Sequence, residues 1–205
     1  MLGIEATDIY NVSTGCWISS SEELAHNRQQ HPGDLAIFHF LKENKPEDRV
    51  LLEHALAFPN VAIASDAIPF TVNGRPLEGD VWPLPENALA HPRGSGTYSR
   101  ILGSYVRERQ VISLMEALRR ASLVPAQILE EAAPQMKSKG RLQVGADADI
   151  TIFDPQTVTD RATYENPGLT SVGIHHVLVN GQFVIKEQAL VPEALPGKPV
   201  RGPLR

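Results

Sequence analysis

The chain of 205 residues is 42% hydrophobic and 21% charged, the balance of an ordinary soluble globular protein with material for a sizeable core. Its formal net charge of -5, with Lys and Arg scattered along the chain, excludes the basic field that nucleic acid or anionic lipid requires, and no apolar run reaches the roughly 18 residues of a membrane span. The single cysteine, Cys16, excludes an intrachain disulfide and any Cys-rich zinc framework, so a metal site would have to use His and Asp; with no leader pattern at the start, the expected location is the cytoplasm.

Residues 1–18 read as a short strand entering a polar loop, with Ile4, Ala6, Ile9 and Val12 as its apolar positions. Ser20 followed three residues later by Glu23 is an N-terminal capping signal and predicts a helix over about 21–30, stopping before Pro32. The apolar run Leu35–Leu41 predicts a strand buried on both faces, and Pro46-Glu-Asp opens a helix with Leu51, Leu52, Ala55 and Leu56 on one side. Val61–Ala64 predicts a second buried strand ending at Ser65-Asp66. Strand, helix and strand in that order imply a parallel βα repeat.

Residues 67–97 are rich in Pro and Gly and predict a long ordered loop, the kind of segment that carries function. Helices follow over Tyr98–Arg109 and from Ser113, a cap with Glu116 three residues on, to about Ala121; Pro125 starts another. After Lys137-Ser-Lys-Gly140 the pattern changes to strands: Asp149–Phe153 alternates, and Val177–Ile185 contains the hairpin signal Asn180-Gly181. The proline-rich stretch from Val191 should wrap the surface without regular structure.

Asp66 follows a predicted strand directly, at the edge where α/β folds bind ligands, and its carboxylate can bind a metal or act as a base; equally, Ser65-Asp66 can simply make a turn. His91-Pro-Arg93-Gly lies in the long loop, where Arg93 offers a planar fork for a carboxylate and His91 can serve as ligand, acid or base, or packing residue. His39 reads as a core histidine. His26, His31 and His54 have no ligand spacing, and of His175 and His176 at most one can face a site. Neither HxH, HExxH nor CxxC occurs, and the acidic run Asp147, Asp149, Asp154 lacks a calcium-loop pattern.

Several blocks, in order, resemble the D-aminoacylase (N-acyl-D-amino-acid deacylase) branch of the metal-dependent amidohydrolase superfamily. They are Ala64-Ser-Asp-Ala67, His91-Pro-Arg-Gly94, Gly96-Thr-Tyr-Ser-Arg-Ile-Leu-Gly103, Tyr105-Val-Arg-Glu108, Leu123–Leu129, Gly145-Ala-Asp-Ala-Asp-Ile-Thr-Ile-Phe-Asp154, Val177-Leu-Val-Asn-Gly181 and Pro196–Gly202. The resemblance implies an α/β fold: the C-terminal part of a TIM-like (β/α)8 barrel over residues 1–135, with the active-site loop at 67–97, then a small β-subdomain with a C-terminal wrap over 136–205. It implies that Asp66 contacts the metal, zinc, and carries a proton from metal-bound water to the leaving amine. Arg93 would hold the α-carboxylate of an N-acyl amino acid, with His91 and Tyr10 as further substrate-binding residues. Tyr10-Asn-Val-Ser-Thr-Gly-Cys-Trp17 departs from the family segment in having Val12 for a second Tyr and Cys16 for a Ser.

The family's His-x-His pair, bridging ligand and two further His all lie upstream of the matched blocks. Asp66 alone cannot hold zinc, so the expectation is a C-terminal portion of an amide hydrolase, inactive without a missing N-terminal half. The alternative is a non-catalytic oligomeric binding module derived from such an enzyme.

Overall fold

The computed structural model describes residues 4–79 and 81–202. The chain divides into two compact units, each assembled from separated segments: Met1–Ala55, Ser65–Gly96 and Ala162–Thr170 in the first, and Leu56–Ala64, Thr97–Arg161 and Ser171–Arg205 in the second.

In the first unit, strands β1 (Ile9–Asn11) and β2 (Cys16–Trp17) form a tight hairpin, with Tyr10 opposite Trp17. Asn11 builds the turn: its Oδ1 accepts from the N–H groups of Ser13 and Thr14 at 2.8 and 3.2 Å, and Gly15 supplies the left-handed residue at φ 70°. Helix α1 (Ser21–Gln30) starts where the cap predicts, Ser20 Oγ accepting from Glu23 N. Strand β3 (Ala36–Phe38) returns antiparallel to β1, giving the order β2-β1-β3. Ile9, Tyr10, Val12 and Ile18 form the buried centre. Helix α2 (Pro46–Ala57) begins at the predicted Pro46.

Three expectations fail here. The run Leu35–Leu41 is not buried on both faces: β3 is an edge strand, and Leu35, Phe38 and Phe40 stand 48%, 53% and 44% exposed because none of the described residues covers them. The face expected to bury α2 leaves Leu51 exposed, and α2 contains no buried residue. Nor does Val61–Ala64 pair in parallel: it lies outside the sheets of the described residues, Ile63 N donating to Arg120 O at 2.9 Å. Among the described residues every strand ladder is antiparallel, so the barrel itself is not seen in this chain.

The proline-rich loop holds more order than expected. Strands β4 (Thr71–Val72) and β5 (Arg75–Pro76) form a hairpin across Asn73-Gly74, both at positive φ, and Thr71 and Leu89 exchange a pair of backbone hydrogen bonds of 2.8 Å. Helix α3 (Arg93–Arg100) begins five residues before the predicted Tyr98, and the chain continues as a π-helical segment, Ile101–Glu108.

In the second unit, Ser113 caps α4 (Leu114–Leu118), which runs through a π-helical stretch into α5 (Val124–Leu129). Buried Arg120 is satisfied by Glu116 Oε1 and by Leu56 O, each at 2.6 Å. Strands β6 (Ile150–Phe153), β7 (Ile174–Val179), β8 (Gln182–Lys186) and β9 (Ala189–Leu190) make one antiparallel sheet in sequence order, with Asn180-Gly181 as the predicted hairpin turn. The following segment is irregular, with Asn180 Nδ2 donating to Pro196 O and Arg201 N to Gln135 Oε1. Among the described residues no helix is long and apolar enough to cross a membrane.

Candidate functional site

Asp66 sits in the left-handed backbone region at φ 45°, which Asp and Asn adopt more readily than other residues with a Cβ. Its carbonyl accepts from Arg93 Nε at 2.7 Å and its Oδ2 lies 2.8 Å from Arg93 Nη2. One guanidinium thus grips both the main chain and the carboxylate of Asp66. The two grips differ in permanence: the Asp66 side chain is 86% exposed, so the ion pair is screened and weak, whereas the carbonyl contact fixes the fork.

Arg93 opens helix α3, and its own N–H donates to His91 Nδ1 at 3.0 Å. Burial, Arg93 and nearby His39 push the His91 imidazole down to about 4, Asp66 opposing them. His91 is therefore neutral at pH 7. Since Nδ1 accepts from a backbone N–H, its proton resides on Nε2, which is left as a donor.

The His91 ring lies 5.5 Å from the ring of Tyr164, which also meets Trp17 at 5.0 Å, Tyr10 at 5.1 Å and His39 at 5.7 Å. Tyr10 is the floor of this cluster, 1% exposed, its hydroxyl donating to Tyr164 O at 3.0 Å. Burial and then the carboxylate of Glu165 raise the Tyr10 phenol above its ordinary value.

All four residues expected at the site, Tyr10, Asp66, His91 and Arg93, therefore lie in the first unit and connect through contacts, Asp66 to Arg93 to His91 to Tyr164 to Tyr10. Tyr164 and Trp17, which no motif marks in the sequence, join this cluster, and His39, expected in the core, takes an intermediate position beside both rings. His175 and His176 lie on β7 in the other unit. The acidic run is occupied structurally: Lys139 pairs with Asp147 and Asp149 at 2.9 and 2.6 Å, and Asp154 holds Gln156 N and Thr157 Oγ1.

The described residues do not make a metal centre. Among the described residues no three His, Cys, Asp or Glu side chains group to hold an ion, His91 Nδ1 is taken by a backbone donor, and the Asp66 carboxylate stands against Arg93.

Residues 75–185, more than half of the chain, match the amidohydrolase family, and the chain belongs to it. It is 43% identical over 118 residues to an N-acyl-D-glutamate deacylase of Alcaligenes xylosoxydans xylosoxydans, a match covering 58% of this chain and 23% of that protein. In structure it is similar to a D-aminoacylase described as defining a novel subset of amidohydrolases, with 29% identity and a TM-score of 0.62 over 89% of this chain and 35% of that one. It is also similar to the N-acyl-D-glutamate deacylase of Bordetella bronchiseptica, solved with zinc and a phosphonate mimic of the tetrahedral intermediate. There the identity is 29% and the TM-score 0.63, over 91% of this chain and 38% of that one. The chain thus spans about a quarter to two fifths of the length of these relatives.

Proposed function

We propose that the chain is the C-terminal portion of a metal-dependent hydrolase that cleaves the amide of N-acyl-D-amino acids. Residues 1–135 would belong to its (β/α)8 barrel and 136–205 to a β-subdomain. The observation that carries this reading is the Asp66–Arg93–His91 linkage, in a chain whose relatives are deacylases. Those relatives weigh against the non-catalytic binding module.

In this reading Arg93 changes partner. With Nε held on the Asp66 carbonyl, Nη2 exchanges the Asp66 carboxylate for the substrate's carboxylate; the freed Asp66 takes a proton from the water that adds to the acyl carbon and gives it to the leaving nitrogen as the C–N bond breaks, releasing the carboxylic acid and the free amino acid. Neutral His91, donor at Nε2, supports the bound carboxylate from the side. Zinc, with which the Bordetella bronchiseptica relative was solved, would take its ligands other than the Asp66 carboxylate from outside the described residues, so the complementary N-terminal part is required for turnover.

The test is complementation with the part of a D-aminoacylase that this chain does not span, in the presence of zinc, reading release of the free D-amino acid. Asp66→Asn is the informative variant, because Asn tolerates the left-handed backbone while removing the charge. It should lower kcat by about 100-fold or more. Unchanged turnover in Asp66→Asn would remove Asp66 from the chemistry.

A further inference from the structure

Trp17, His39 and Tyr164 form a contiguous aromatic face that the mechanism above does not use. Their ring centroids lie 5.0 to 5.9 Å apart, and His91, the neighbour of Arg93, joins the face through Tyr164 at 5.5 Å. Tilted and edge-on packing of this kind leaves ring faces open to further aromatic contact. Trp17 has the exposure to offer one, at 37%, on the short outer strand β2.

We infer that this face is the side-chain subsite of the substrate, and that the protein selects N-acyl amino acids with an aromatic side chain over those with an acidic one. The inference rests on the assignment of Arg93 to the substrate carboxylate. An amino acid carries its carboxylate and side chain on the same carbon, so a ligand held at Arg93 must direct its side chain to a neighbouring surface. Through His91 that surface is aromatic.

Charge argues the same way. The carboxylate of Glu165 acts on Tyr10 beneath the rings, and Asp66 supplies a second negative charge at the Arg93 end. His91 is neutral and offers a second carboxylate no cation. An acidic side chain entering here would meet like charge, whereas an aromatic ring would bury apolar surface against Trp17 and Tyr164.

The chain has two tryptophans, so Trp82→Phe leaves Trp17 as its sole indole reporter. Its emission is followed on titration with N-acetyl-D-phenylalanine, N-acetyl-D-alanine and N-acetyl-D-glutamate, with dissociation constants confirmed by calorimetry. Phenylalanine should bind about tenfold tighter than alanine, and glutamate no tighter than alanine. Trp17→Ala, read by calorimetry, should bring the phenylalanine-to-alanine ratio to about one, and Trp17→Phe should restore most of it. Equal affinity for phenylalanine and alanine, or preference for glutamate, overturns the inference. If all three ligands still require Arg93 in that case, the carboxylate assignment survives alone; binding indifferent to Arg93→Ala, or no binding at all, overturns both.

Discussion

His91 concentrates the electrostatics of the site in one ring. Burial, Arg93 and His39 lower its proton affinity from 6.5 to about 4. The folded protein therefore binds this proton more weakly than the unfolded chain does. The resulting stabilisation is complete above pH 6.5 and is lost as the pH falls from there towards 4. Arg119 and Arg120 hold the Glu116 carboxyl at about 2, so that pairing persists throughout the window. Urea denaturation should show stability falling with acidification between about pH 6.5 and pH 4.5, by at most about 1.4 kcal/mol per unit from this one group. His91→Asn, which keeps an acceptor for Arg93 N, should flatten the slope; an unchanged slope would show that His91 does not carry it. At this scale the sequence was readable in part. Asp66 and Arg93 stood out because a strand end and a Pro-Gly-rich loop mark ligand edges. Tyr164 did not, since it lies 154 residues beyond Tyr10 and only the fold joins them.

Elements were legible where their signals are local. The caps at Ser20 and Ser113 and the turn at Asn180-Gly181 act within four residues, and all three structures form. Asn73-Gly74 carries the same hairpin signal and makes β4–β5, but the surrounding prolines mask it. Strand partnership was not legible. An apolar run such as Leu35–Leu41 predicts burial only if neighbours exist to cover it, and pairing direction depends on contacts remote in sequence. One close approach lies between Ile101–Glu108 and the segment at Val158, a residue with no exposed surface. A Cβ on Gly103 would stand 2.8 Å from Val158 O, the same carbonyl that Arg107 Nη1 reaches at 2.6 Å. Backbone cannot yield there as a side-chain tip can. Gly103→Ala should destabilise the protein by about 1–3 kcal/mol in urea denaturation; a variant as stable as the parent would mean that the helix shifts freely.

For the whole molecule, the informative surface is the one the first unit leaves apolar. Leu35, Phe38 and Phe40 around β3, and Val50 and Leu51 on α2, are all 44% to 57% exposed, and β3 is the last strand of its sheet. A free edge beside large apolar side chains is a template for association, and natural edge strands suppress it with charge, above all Lys. Here the position opposite Ile9 on that edge is Phe38. The relatives of which the chain spans 23% to 38% have further chain that could supply a cover. By itself this protein should therefore self-associate, its weight-average mass rising with concentration in light scattering. Phe38→Lys, which places a charge on the edge strand while leaving the β1 ladder to form, should shift the distribution towards the monomer by several-fold at equal concentration. A parent chain that stays monomeric across a hundredfold range, about 1 to 100 μM, would show that the exposed face is not adhesive. The apolar run at Leu35–Leu41 would then be a tolerated exposure, not one half of an interface.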